Sequence, residues 1–253
     1  MNSILNWIGG KNRLKKKILP LIPNDITAYI EPFGGAGWVL FAKERHAKCE
    51  VYNDLDGELV NLFMIIKYHV DALVKDMAFQ VSSRELFAKL KENTGFTDIQ
   101  RATRFLYLIK RSFGAMGEHY SIGKTKALGG LASHAGIVTL AEKLHLRLDK
   151  VIIENKDFEG IIKTYDDKGS FFYFDPPYFK GNNLYPRVGK FDHKRLATVL
   201  PGIKGRWLLS IDDCTKAREM FGSWKVKRVS RQTGINNINL KTRVFKELLV
   251  KNY

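Results

Sequence analysis

The stretch 171-FFYFDPPYF-179 constrains the fold of this chain more than any other. Four aromatic residues in succession, with no polar alternation, suit a strand covered on both faces, as strands of parallel sheets are. The run stops at Asp175, Pro176 and Pro177. The prolines fix φ and remove two N–H donors, so acceptors remain at the strand's carboxyl end: the Asp175 carboxylate and the Pro176 carbonyl. Tyr178 adds a flat face. Two acceptors and an aromatic plane make a receptor for an exocyclic amino group on a planar base. The plain alternative is a rigid turn with a solvated acid, the usual meaning of a proline pair. The aromatic run before the turn and the tyrosine after it favour the receptor.

The rest of the chain supplies a matching architecture. Residues 27-TAYIEPF-33 predict a strand, followed by Gly34, Gly35 and Gly37 and a helix over 38-WVLFAKERHA-47. A second strand, 49-CEVYND-54, leads into a helix over 57–77. Strand, glycine turn, helix, strand is the entry of a doubly wound α/β sheet. Helical spacing follows at 83–93, 98–113 and 137–148, with a glycine-rich stretch, 114–136, between the last two. Residues 67–150 thus read as a mainly helical insert. The strand pattern resumes at 151–155, 170–175, 206–212 and 244–253, with helices expected over 192–203 and 215–223. The expected division is a discontinuous α/β domain, 1–66 and 151–253, carrying the insert.

The chain has 253 residues and a formal net charge of +16, above the magnitude of ~2–8 typical of a small domain's surface. Such an excess points to a polyanionic partner, most simply nucleic acid. Its distribution is uneven: +1 over residues 1–64, +6 over 65–150, −3 over 151–178 and +12 over 179–253. Positive charge avoids the segment around Asp175, which suits an enzyme acting on nucleic acid. Two cysteines make neither a disulfide framework nor a zinc site, and the six histidines show no ligand spacing. No apolar run approaches the ~20 residues of a membrane span. The expected setting is cytoplasmic and reducing, with no membrane and no metal.

The turn 31-EPFGGAGW-38 bares backbone to a ligand, and Asp54 ends the next strand roughly 20 residues on, where an acid can hold two ribose hydroxyls. Phosphate-cradling basic residues of the Walker type are missing from the sequence, so a nucleoside cofactor need not carry phosphate.

Asp175-Pro176-Pro177-Tyr178 after a strand resembles the catalytic motif of amino-group methyltransferases. Three further stretches, 6-NWIGGK-11, 30-IEPFGGAGWV-39 and 51-VYNDLDGELVNLF-63, resemble the N-terminal cofactor motif, glycine motif and ribose-binding segment of Dam-type DNA adenine-N6 methyltransferases, in the same order along the chain. The resemblance implies a Rossmann-like sheet, S-adenosylmethionine as cofactor and duplex DNA as substrate, with 67–150 as target-recognition domain. It implies that Trp7, Gly10, Lys11, Glu31, Pro32, Phe33, Gly34, Gly35, Asp54, Asp157, Phe158 and Asp175 bind the cofactor. It also implies that Asp175, Pro176, Pro177 and Tyr178 receive a flipped adenine. Singly, each has a plain alternative: Trp7 as core, Lys11 as part of the solvated run through Lys17, Asp157 as a turn acid.

Candidate DNA contacts in the insert are Arg101, Arg104, Lys110, Arg111, Lys124 and Lys126. In the basic tail they are Lys225, Lys227, Arg228, Arg231, Lys241 and Arg243. The plain alternative for them is a solvated face. After 104-RFLYL-108 the family usually continues with an Asn-Gly stretch, whereas this chain has 112-SFGAMG-117. Adenine is therefore implied as the target base, and GATC as its context is not. A bacterial or phage-encoded monomer, or a dimer on DNA, is the expected enzyme. The competing readings are an RNA or protein-amide N-methyltransferase and a non-enzymatic DNA-binding module.

Overall fold

The computed structural model describes residues 3–5, 10–78, 80–121, 134–181, 187–232 and 244–253. The sites expected at Trp7, Lys124, Lys126, Lys241 and Arg243 lie outside these residues, as does the Arg231 side chain.

Among the described residues seven strands form one sheet: β1 (Ala28–Glu31), β2 (Cys49–Asn53), β3 (Val151–Glu154), β4 (Ser170–Phe174), β5 (Arg206–Asp212), β6 (Lys225–Gln232) and β7 (Val244–Lys251). Their order is β3-β2-β1-β4-β5-β7-β6. The pairs β2–β1, β1–β4 and β4–β5 are parallel. β7 runs antiparallel to both β5 and β6, so β6 again points the same way as β5. This corrects one expectation: residues 225–232, expected as a basic tail, are an edge strand. In 225-KVKRVSR-231 the two valines are three positions apart, so the stretch lacks the period-two pattern of a strand.

By compactness the chain divides into two units, one of residues 1–12, 35–44 and 56–155, the other of 13–34, 45–55 and 156–253. The first is mainly helical: α2 (Gly57–Tyr68), α3 (Val70–Ala78), α4 (Arg84–Glu92), α5 (Asp98–Arg111) and α6 (His134–Leu148). Buried Leu62, Phe63 and Ile66 of α2, Phe105 and Leu106 of α5 and Leu144 and Leu148 of α6 form its interior. Thr97 and Gln100 close a reciprocal capping box at the start of α5. The single helix expected over 57–77 is two, because His69 leaves helical geometry at φ −140°, ψ 39°.

The helix expected over 38–47 does not form; only a 3₁₀ turn, Leu40–Ala42, is present. The Arg147 guanidinium takes the Leu40 and Lys43 carbonyls at 2.9 and 3.0 Å. Those are acceptors that an α-helix would need for its own ladder.

The second unit holds β1, β2 and β4–β7 with α1 (Lys15–Ile18), α7 (Phe158–Tyr165), α8 (His193–Val199) and α9 (Thr215–Phe221). α7 was not expected. α8 is shorter than expected because the chain passes at Leu200 into a 3₁₀ turn containing Pro201. Strand register separates the sheet into two chemically different faces. On one face Ile30, Val51, Phe172, Phe174, Trp207, Leu209, Ile211, Leu248 and Val250 pack with buried residues of α7, α8 and α9. The other face carries Tyr29, Glu31, Glu50, Tyr52, Tyr173, Ser210, Asp212 and Glu247, all buried. So the sheet is covered on both faces, as the aromatic run of β4 predicts, but only one face is apolar throughout. Among the described residues no helix is long and apolar enough to cross a membrane.

Candidate active site

β1 and β4 are direct neighbours, with Ile30 opposite Phe172. From β1 the chain winds through β2 in one direction, and from β4 through β5 in the other. The strand order therefore reverses between them, and ligands of doubly wound sheets bind outside the carboxyl ends of the strands at that point. Glu31-Pro32-Phe33-Gly34 leaves β1 there and Asp175-Pro176-Pro177-Tyr178 leaves β4 there. Adjacent strands are about 4.8 Å apart, so the two turns that the sequence singles out lie side by side.

The buried amide of Asn53, the last residue of β2, ties this edge together. Its Nδ2 donates to the Pro32 carbonyl at 2.8 Å and the Lys156 carbonyl at 2.9 Å, and its Oδ1 accepts from the Lys156 N–H at 2.9 Å. The Asn53 carbonyl accepts from the Gly34 N–H at 2.7 Å. One residue thus joins the glycine turn, the end of β2 and the segment before α7. Gly34 is required by space: a Cβ there would lie 2.3 Å from the ring of buried Tyr52. Gly35 and Gly37 have φ of 49° and 67°, which glycine adopts freely. Asp54, half-buried, follows Asn53 directly.

Asp157 caps α7, accepting from the Glu159 N–H at 3.0 Å, and pairs with Arg195 at 3.0 Å. Phe158 is buried against Phe33 and Phe191, with ring centroids 5.5 and 5.7 Å away. Bared backbone, a carboxylate just past β2 and aromatic rings beside them fit a nucleoside. Gly10 and Lys11 belong to the other unit, Lys11 being buried there.

The second turn is held from β5, β7 and α8. Ser210 Oγ donates to Asp175 Oδ1 at 2.9 Å and lies 2.9 Å from the Tyr173 hydroxyl. The serine has one proton and gives it to the carboxylate, so Tyr173 donates to Ser210. The Tyr178 hydroxyl donates to Glu247 Oε2 at 2.5 Å. Burial and the neighbouring Asp175 and Glu247 carboxylates push the Tyr178 phenol well above its ordinary value, so it stays protonated and keeps donating. Asp212 accepts from the N–H groups of Phe179 and Lys180 at 2.9 and 3.3 Å. His193 lies 2.7 Å from the Pro177 carbonyl and stacks on Phe179. Burial lowers the His193 pKa, so the neutral ring donates its Nε2 proton to Pro177. Pro176 is buried, while Asp175 and Tyr178 are half-buried.

Residues 7–235 match the family model for D12 class N6 adenine-specific DNA methyltransferases. The chain belongs to that family. The chain is also similar to several curated enzymes. The type II methyltransferase M.CviBI of Paramecium bursaria Chlorella virus NC1A is 27% identical over 228 residues, covering 88% of each chain. The DNA adenine methylase of Haemophilus influenzae is 28% identical over 272 residues, covering 97% of this chain and 91% of its own. The type II methyltransferase M1.LlaDCHI of Lactococcus lactis is 28% identical over 184 residues, covering 68% and 64%. D12 enzymes, as methyltransferases, generally draw the methyl group from S-adenosylmethionine.

Sequence reasoning missed Asn53, Ser210, Asp212, Glu247 and His193. A signal existed for three of them: Ser210, Asp212 and Glu247 are polar interruptions of apolar strands, 206-RWLLSID-212 and 247-ELLV-250.

Among the described residues, the candidate DNA contacts divide between the two units. Arg101 pairs with Glu58 at 2.5 Å and Asp98 at 2.9 Å. Arg104 bonds the Leu90 and Lys91 carbonyls at the end of α4. Lys110 and Arg111 occupy the last turn of α5, where Arg111 lies 5.8 Å from the Tyr107 ring centroid. Lys225, Lys227 and Arg228 are exposed on β6.

Proposed function

We propose that this chain methylates the N6 amine of adenine in duplex DNA, drawing on S-adenosylmethionine. The observation that carries this reading is the direct pairing of β1 with β4, which sets the glycine turn beside the Asp-Pro-Pro-Tyr turn. Gly34, Phe33, Asp54 and Phe158 would hold the cofactor's nucleoside, and Glu31, Pro32 and Asp157 would complete its surroundings within the same unit.

S-adenosylmethionine, when bound, supplies a methyl group on a positively charged sulfur. Adenine N6 is a poor nucleophile because its lone pair is delocalised into the ring. Hydrogen bonds from its two protons to the Asp175 carboxylate and the Pro176 carbonyl favour a tetrahedral nitrogen with an available lone pair. His193 engages the Pro177 carbonyl and not that of Pro176, which supports Pro176 as the second acceptor. As the bond to N6 forms, the methyl carbon's bond to sulfur would break and leave a neutral thioether; Asp175 would stabilise the positive charge passed to N6 until N6 releases one of its two protons. Orientation supplies several kcal/mol more. The base must leave the duplex stack, and Tyr178 would offset part of a cost of a few kcal/mol by stacking on it.

The helical stretch 67–150 would read the target. Lys110 and Arg111 remain candidate contacts; Arg101 and Arg104, already bonded within the unit, are better seen as scaffold. Phe113 is 65% exposed beside Gly114 and Ala115, whose φ values are 65° and 58°. An exposed aromatic suits an apolar wedge between bases. Exposing duplex DNA, ribosomal RNA and protein to the enzyme with a labelled methyl donor tests the reading. Label is expected in DNA, and label confined to RNA or protein would refute it.

A further inference from the structure

Ser210, Asp212 and Glu247 do not belong in a buried sheet by composition. Neighbouring positions on β5 and β7 are Trp207, Leu208, Leu209, Ile211, Leu248, Leu249 and Val250, all apolar. Ser210 and Asp212 are two residues apart on β5, and Glu247 of β7 is opposite Asp212, so all three point to one face. They are 0%, 6% and 1% exposed. Burying such groups is costly unless they are hydrogen-bonded, and like charges directly opposite on neighbouring strands disfavour a sheet.

Each of the three bonds a different part of the same turn. Ser210 holds the Asp175 carboxylate, Asp212 the main chain of Phe179 and Lys180, and Glu247 the Tyr178 hydroxyl. We infer that Ser210, Asp212 and Glu247 form a clamp that positions the Asp175–Tyr178 turn, and that Glu247, acting through the Tyr178 hydroxyl, sets the plane on which the target base stacks. This rests on the reading that Asp175 and Tyr178 receive adenine.

A phenyl ring held only by packing can tilt about its own bonds. A 2.5 Å hydrogen bond from its para oxygen to a carboxylate rooted in the adjacent sheet removes that freedom. Ser210 acts likewise on the carboxylate: its proton, given to Oδ1, restrains the plane of the Asp175 carboxylate. These are positioning residues. Their loss should slow the methyl-transfer step and leave cofactor and DNA affinity almost unchanged, because a misplacement of about 1 Å can cost ~100-fold in rate.

The test uses the full-length enzyme on a duplex carrying the site that wild type methylates. The variants are Glu247→Ala, Glu247→Gln, Tyr178→Phe and the double variant Glu247→Ala/Tyr178→Phe. Single-turnover transfer rates are measured beside cofactor affinity and the fluorescence of 2-aminopurine placed at the target adenine. Expected are a ten- to hundredfold slower transfer in Glu247→Ala and Tyr178→Phe, and no further loss in the double variant. Affinities should stay within about twofold, and 2-aminopurine emission should change in both single variants. Glu247→Gln, which keeps an acceptor, should recover most of the rate. Where Glu247→Ala does not fold, Tyr178→Phe and Glu247→Gln carry the comparison. Wild-type rates in Glu247→Ala and Tyr178→Phe, or losses that multiply in the double variant, would overturn the clamp. A wild type that methylates no adenine would instead overturn the function on which it rests.

Discussion

Asn53 illustrates how far single residues could be read. Asp54 stands out in 51-VYND-54 because an acid after a second strand has a known chemical use. Asn53 beside it has none until the chain is folded, since its partners Pro32 and Lys156 are 21 and 103 residues away. Removing its side chain would take away three hydrogen bonds, to the Pro32 carbonyl and to the Lys156 carbonyl and N–H, at about 1–3 kcal/mol for each buried group left unpaired. Asn53→Ala should lower the melting temperature and, by releasing the glycine turn, weaken cofactor binding; calorimetry and thermal unfolding would measure both. Gly34 could be read as a turn glycine, but not the reason for it, which is the ring of Tyr52. Gly34→Ala should cost about 1–3 kcal/mol, as overpacking does.

At the scale of elements, local pattern was enough where periodicity and burial agree, as in β4, β5 and α5. It failed where a distant side chain intervened. Arg147 withholds two carbonyls from the helix that 38–47 would otherwise form. In β6 the charges of 225-KVKRVSR-231 masked a strand. That strand also sorts its residues. Because β6 runs with β5, Lys225 is at the sheet's amino edge, level with Lys251, while Val229 is level with Glu247 towards the carboxyl edge that carries the candidate site. At ~3.3 Å per residue, Lys225 is about 13 Å further from that edge than Val229. Arg228→Glu should therefore weaken DNA binding more than Lys225→Glu, as a titration by fluorescence anisotropy would reveal.

α8 contributes a pH dependence. Burial depresses the His193 pKa, so the folded state binds fewer protons than the unfolded one below the ordinary value of about 6.5. This contribution to stability is complete above that value and is lost as pH falls through the folded-state pKa. The melting temperature should drop as pH falls from 7 towards 5, and His193→Gln should flatten the drop.

For the molecule as a whole, the charge census foretold a division that the structure makes concrete. The −3 segment, 151–178, contains β4 and its turn, while the sheet face beside it adds buried Glu31, Glu50, Asp212 and Glu247. The +12 segment supplies the exposed edge strand β6. The exposed edge strand thus offers cations to phosphate. DNA affinity should fall steeply and linearly with salt on logarithmic axes, through counterion release.

The central claim is that Asp175, delivered by β4 to the switch point beside the glycine turn, makes adenine N6 reactive. Its most direct test is mass spectrometry of nucleosides from duplex DNA treated with S-adenosylmethionine and either wild type or Asp175→Ala. The account predicts N6-methyldeoxyadenosine with wild type and none with Asp175→Ala, whose DNA binding persists. Undiminished N6-methyldeoxyadenosine from Asp175→Ala, or methylation by wild type at another base, would contradict it.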